Sequence, residues 1–510
     1  MGRIMSHFDT MLMLIFIIGI LLLHSIERTT KWTESIGFGF PVGLMAITLP
    51  MLLMDWGGLA LNRTNLLILT IVLIVAGLAA NLDIFRKLCK RPNFIPLRSM
   101  FDMKKQGWIN IVWVLMLAAV VYIEYVNLAK CLFYPTYDRD SMAAFDTFGY
   151  VCAREGTYLR MSLFDANYIP SLHHAGSAMS YMPMVQLSYA YVYVFGAETS
   201  KAIPAFVYLS FLVGLYVLCR RRLTHTASMM VLLGVVMTPE MTSFASHSMT
   251  NVMHACIASS AMIYFCLWID SHERKDFTMA CLLLTINVWL RAEGVVFIAV
   301  AWIMFFSRMI VDCINATHST NNGNINFQYA LTTTSRQWLA LLLIPTLPFA
   351  LWTICSLYCG ISSEGTMILY LFRDSDKAYT ILNGIYDLLS GGTFYGWTFN
   401  FALLMLHLFI FHRIYLHIRS RHTNKIMPSA LLTRSLFWTI VLGIMGYMLI
   451  LYHIDYQWDN IHNVLDYSAK RFLFCFVPIA WYFSLSIEPM KQAAQWLEHQ
   501  CGLGWLTERQ

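Results

Sequence analysis

The sequence predicts an all-α polytopic membrane protein, with about 13 transmembrane helices and one large extracytoplasmic loop carrying interfacial helices. Three observations predict it. Of the 510 residues, 58% are hydrophobic and only 13% are charged, whereas a soluble domain carries about 25% charged residues. The apolar residues fall in runs near the length of about 20 that spans a bilayer as a helix. Lys and Arg gather in a few short connections, and that bias sets an orientation.

The apolar runs are 9–26, 37–54, 65–82, 108–128, 203–219, 226–242, 249–269, 337–359, 397–415, 434–453 and 471–488. A longer run, 277–310, is broken by "RAEG" at 291–294 and reads as two short helices. The first run is expected to remain as an anchor, because no small-residue cleavage site follows it.

The most basic connection is "RKLCKRPNFIPLRSMFDMKK" (86–105), with seven Lys or Arg. "RRR" (220–222) and "RIYLHIRSRHTNK" (413–425) come next. Placing all three on the cytoplasmic side puts residues 129–202 on the opposite face. The scheme closes only if "YMPMVQLSYAYVYVFG" (181–196) lies at the interface, and its length and tyrosines favour that. Four parts result: N-terminal helices (1–128), the extracytoplasmic loop (129–202), a transmembrane core (203–490) and a cytoplasmic tail (491–510). The expected location is a bacterial inner membrane, with the site on its extracytoplasmic face.

Several classes are excluded. The net charge of +6 is spread over many short loops, so no nucleic-acid partner is expected. There is no G-x-x-x-x-G-K, no G-x-G-x-x-G and no C-x-x-C. The twelve cysteines are scattered through the chain, mostly inside apolar runs, and read as packing residues.

The loop concentrates acids. "YPTYDRDSMAAFDTFGYVCAREGTY" (134–158) holds Asp138, Asp140, Asp146 and Glu155. Phe145, Phe148, Cys152 and Tyr158 recur at roughly helical spacing, which predicts an amphipathic helix after "YDRD". Such a helix at the membrane surface would hold carboxylates where a lipid-linked substrate presents its headgroup. The plain alternative is a solvated loop.

The Tyr-Asp-x-Asp pattern, followed by an aromatic residue and by Gly156 sixteen residues after Asp140, resembles the first extracytoplasmic loop of the GT-C glycosyltransferases. Three further stretches are similar to that family in the same order. They are "SYMPMVQLSYAYVYVFGAETSKA" (180–202), "VWLRAEGVVFIA" (288–299) and "DYSAKRFLFCFVP" (466–478). The similarity runs from about 130 to 490; four spans precede the loop where the family usually has one. The resemblance implies transfer of a sugar from a polyprenyl-phosphate donor to a glycan, lipid or protein hydroxyl. It makes Asp140 the catalytic base, with Asp138 second.

The residues bear on the same chemistry. A carboxylate within hydrogen-bond reach of a hydroxyl can take its proton as the new bond forms, and a single displacement inverts the anomeric carbon. Asp138 and Asp140, two residues apart, could also hold a divalent cation through oxygen. Lys470 and Arg471 are expected at the outer edge of the last span, where they could bind the leaving phosphate; snorkelling is the competing explanation. Arg291 and Glu293 sit at a helix break, as a local ion pair or as substrate contacts. Glu240, His247 and Asn251 follow a span, and His173 and His174 stand in the loop; all are further candidates for lining the site. Residues 369–397 could close over a donor, and 452–471 could stack on a sugar. Two other readings stay open: a transporter or flippase of lipid-linked saccharides, with Glu124 as its main intramembrane charge, and a polysaccharide polymerase.

Overall fold

A computed structural model describes residues 2–82, 107–138, 140–164, 181–318, 323–361, 367–369, 373–423, 430–456 and 460–500. Its long helices are α1 (Gly2–Ile26), α2 (Trp32–Trp56), α3 (Arg63–Ala80) and α4 (Gly107–Phe133). The loop helices α5 (Thr147–Glu155) and α6 (Met184–Val194) follow. Then come α7 (Ala202–Arg220), α8 (His225–Val236), α9 (Asn251–Ser271), α10 (Arg274–Leu290), α11 (Val295–His318) and α12 (Gly323–Tyr358). The chain closes with α13 (Ser375–Ser390), α14 (Thr398–Thr423), α15 (Leu431–His453), α16 (Val477–Ser486) and α17 (Glu488–Gln500).

Nine helices among the described residues are long and apolar enough to cross a membrane, or ten if the bent pair at the C-terminus is one span. Nine of the thirteen expected segments meet that standard. The first contributes Thr10–Ile26 of the 25-residue α1, and three others fall short for a visible reason. The segment 226–242 yields only the 12 residues of α8, because Pro239 forces the preceding Thr238 into an extended backbone. The first half of 277–310 forms α10, which is 17 residues long and opens on Arg274, Lys275 and Asp276. The last span bends by 72° before Glu488. The second half of 277–310 is a full-length apolar helix, Ala292–Val311, rather than a short one.

Small residues let the first helices approach closely. A Cβ on Gly19 would stand 1.7 Å from the Gly39 carbonyl oxygen, and one on Gly43 would stand 1.9 Å from that of Ile15. Gly39 and Gly43 share one face of α2, the spacing that draws apolar helices together where water supplies no driving force. The opposite side of α2 meets α7 in the same way at Gly37 and Gly214. Helix α9 is central, its apolar stretch wholly buried, whereas only 6% of that of α14 is.

Charge collects at the two ends of the bundle. One end joins Glu34 to Lys275, Arg221 to Glu273 and Asp276, and Arg222 to Asp270. The other carries the loop between α4 and α7. Lys201, almost fully buried, donates from Nζ to the carbonyls of Tyr134 (2.8 Å), Lys130 (3.1 Å) and Pro135 (3.3 Å). Those carbonyls end α4, where a lysine is a natural cap. The loop therefore returns to the end it left, and the 11 residues of α6 do not cross the bundle.

The all-α expectation needs one small amendment. β1 (Met367–Leu369) pairs antiparallel with β2 (Ile454–Tyr456), Met367 opposite Tyr456. This ribbon clips together two loops that the sequence presents as separate.

Candidate active site

The four loop acids separate by what they touch. Asp138 accepts a hydrogen bond from the Ser141 backbone N–H at 3.0 Å and so closes the first turn of the π-helical stretch Ser141–Asp146. Asp146 accepts from the Tyr193 hydroxyl (2.5 Å) and the Ser200 hydroxyl (2.6 Å). Glu155 accepts from the Ser162 backbone N–H at 2.8 Å and from its hydroxyl. Asp140 reaches across to Arg471, 2.7 Å away, with half of its side chain exposed. Of the four, it alone joins the cations brought by the last spanning segment.

The amphipathic prediction holds at Phe145, Phe148 and Cys152, which are buried on helical backbone; Tyr158 is buried too but lies beyond the helix, which ends at Glu155. They face protein, because α5 packs on α6 with Gly149 against Tyr189. Gly156 ends α5 in the left-handed conformation (φ 72°) that a residue without Cβ adopts freely.

The N-terminal helices α2 and α3 hold the far end of this loop. Asp55, at the end of α2 and almost fully buried, accepts from the Thr157 hydroxyl (2.7 Å) and the backbone N–H groups of Tyr158 (2.8 Å) and Leu159 (2.6 Å). The Leu61 N–H donates to the Gly156 carbonyl at 2.7 Å. Thr70 of α3 bonds the Tyr191 hydroxyl of α6 at 2.9 Å.

Two further ion pairs stand beside Asp140 and Arg471. Lys470 meets Glu240 at 2.8 Å and lies 4.6 Å from the centre of the Phe394 ring. Arg291 meets Glu293 at 2.8 Å and also donates to the side chains of Asn251 and Thr250. Burial works against the Arg291 charge, but Glu293 outweighs it and raises the guanidinium pKa. Tyr181 joins the groups: its ring faces Arg291, and Arg291, Glu293, Asp140 and Arg471 all act on its hydroxyl. Burial is the largest influence there and raises its pKa. Phe244 lies beneath Arg471, 5.1 Å from ring centre to guanidinium, and beside His247. The Tyr137 hydroxyl and His247 Nε2 are 2.9 Å apart. Burial depresses the His247 pKa, against the pull of Asp138.

Nine of the eleven candidates, Asp138, Asp140, Glu240, His247, Asn251, Arg291, Glu293, Lys470 and Arg471, thus gather at one end of the bundle. His173 and His174 lie outside the described residues. The stretch 369–397 reaches the site through Phe394 and through Tyr395, whose hydroxyl donates to the Lys470 carbonyl at 2.7 Å. Sequence reasoning missed Tyr181, Phe244, Tyr447, Lys201 and Asp55. Tyr181 and Lys201 stand within the 180–202 stretch, but nothing in its composition separates them from their neighbours. Tyr447 stacks on Phe472 at 3.9 Å, a pairing formed only by the fold.

No group of three or more His, Cys, Asp or Glu among the described residues could hold a metal ion. Asp138 and Asp140 point to different partners, a backbone N–H and a guanidinium.

No family model, curated protein or solved structure matches the chain.

Proposed function

We propose that the chain is an integral membrane glycosyltransferase, working at the end of the bundle that carries Asp140 and Arg471. It would take a sugar from a polyprenyl-phosphate donor and pass it to a glycan, lipid or protein hydroxyl. In this reading the chain makes thirteen passes, three of them by short or bent helices. The basic connections face the cytoplasm of a bacterial inner membrane, and the site faces away from it.

The observation that carries the reading is the Asp140–Arg471 ion pair, beside the Lys470–Glu240 pair. It puts a half-exposed carboxylate, suited to act as a base, next to two cations suited to a phosphate. The donor phosphodiester draws Arg471 and Lys470 toward its oxygens, which loosens Asp140 from Arg471. Asp140 takes the proton of the acceptor hydroxyl. The acceptor oxygen bonds to the anomeric carbon from the face opposite the phosphate. The bond from that carbon to the phosphate oxygen breaks, and its electron pair leaves with the polyprenyl phosphate. Negative charge grows on the leaving phosphate in the transition state, where fixed cations contribute most. Tyr181 and Phe394 supply aromatic surface near these groups.

The test is transfer of labelled sugar from polyprenyl-phosphate donors in membranes containing the wild type or Asp140→Asn. Loss of transfer in the variant, with normal insertion, is the expected result. Undiminished transfer would remove Asp140 as the base. If no donor is consumed while lipid-linked saccharide crosses the membrane, the chain is a transporter.

A further inference from the structure

Helices α14 and α15 follow one another in the chain and both pack on α16. Phe483 of α16 lies between them, 6.5 Å from Phe409 and 6.1 Å from Phe437 between ring centres. Above this floor a groove of about 440 Å³ stays open, lined by Phe409, Ile410, Arg413, Ile414, His417 and Arg434. Its surface is almost entirely carbon, so the polar heads of the three basic residues stand at its margin. Among the described residues no acid lines it, and the Arg434 charge acts directly on Arg413. Arg434 is in the first turn of α15, where the helix dipole adds positive potential.

We infer that this groove binds an anionic glycerophospholipid, its acyl chain along Phe409, Ile410 and Ile414 and its phosphodiester between Arg413 and Arg434. A phosphodiester placed between two guanidinium groups is attracted to both. An apolar groove on a helix whose apolar stretch is only 6% buried offers a chain the contacts that the neighbouring helix leaves unmade. The groove lies toward the end of the bundle where α14 finishes and α15 begins, opposite Asp140. The basic run 413–425 makes this the cytoplasmic end, where anionic lipid headgroups meet basic residues. Such a site requires the chain to sit in a bilayer, and does not require it to be a transferase.

The experiment is native mass spectrometry of the purified chain, titrated with phosphatidylglycerol or with phosphatidylcholine. The expected result is one preferentially retained phosphatidylglycerol, bound roughly tenfold or more weakly by Arg413→Gln/Arg434→Gln. The single variant Arg434→Gln, at an exposed position, should show part of that loss with unchanged helicity by circular dichroism. Arg419→Gln, on the same helix but outside the groove, should bind as the wild type does. Equal retention of phosphatidylcholine, or equal loss in all variants including Arg419→Gln, would overturn the inference. Displacement of the lipid by excess inorganic phosphate would also overturn it, in favour of a free-phosphate site.

Discussion

Arg471 and Asp140 stand 331 positions apart in the chain and 2.7 Å apart in the fold. Their pair is half-exposed on the acid side, so its contribution to stability is small, about 1 kcal/mol or less. Asp140→Asn should therefore leave thermal unfolding in detergent nearly unchanged, while sugar transfer falls by about 10²- to 10⁴-fold. A large drop in stability with proportional loss of activity would make the pair structural.

Arg291 and Glu293 should behave in the opposite way. Both side chains are mostly covered, and Arg291 also serves Asn251 and Thr250. Arg291→Ala strands a carboxylate and should cost about 3 kcal/mol. Replacing both partners with Met should recover much of that loss. A denaturation series on the single and double variants measures it.

Asp55 is expected to matter to the loop more than to the bundle. Asp55→Ala leaves the N–H groups of Tyr158 and Leu159 without their acceptor, at a cost of about 3 kcal/mol. Asp55→Asn keeps one acceptor oxygen and should lose less. Hydrogen exchange at residues 156–159 should rise in the Ala variant before exchange in α9 does.

His247 gives a pH dependence of defined sign. Its pKa in the fold lies below the ordinary value of 6.5 because burial disfavours the charged ring. The unfolded chain then binds the extra proton first, and stability falls as pH drops below about 6.5. His247→Gln should flatten that part of a pH–stability curve, measured by thermal unfolding between pH 7.5 and about 5. An unchanged slope would place the proton elsewhere.

Much of this architecture is legible in the chain before any contact is known. Apolar length and the short tyrosine-rich segment 181–196 already determine helices and a loop that returns to its own end, because each is a local property of composition. The break at "RAEG" is legible for the same reason. What the sequence could not decide is what each acid of 134–158 touches. Asp138, Asp140, Asp146 and Glu155 are alike in type and setting, and only their partners, Ser141, Arg471, Tyr193 with Ser200, and Ser162, tell them apart. Nor could it show that α2 and α3 brace the loop through Asp55 and Thr70. Hydrogen bonds and ion pairs act over about 3 Å and join residues up to hundreds of positions apart. Local composition carries no record of such partners, and the tertiary fold alone chooses them.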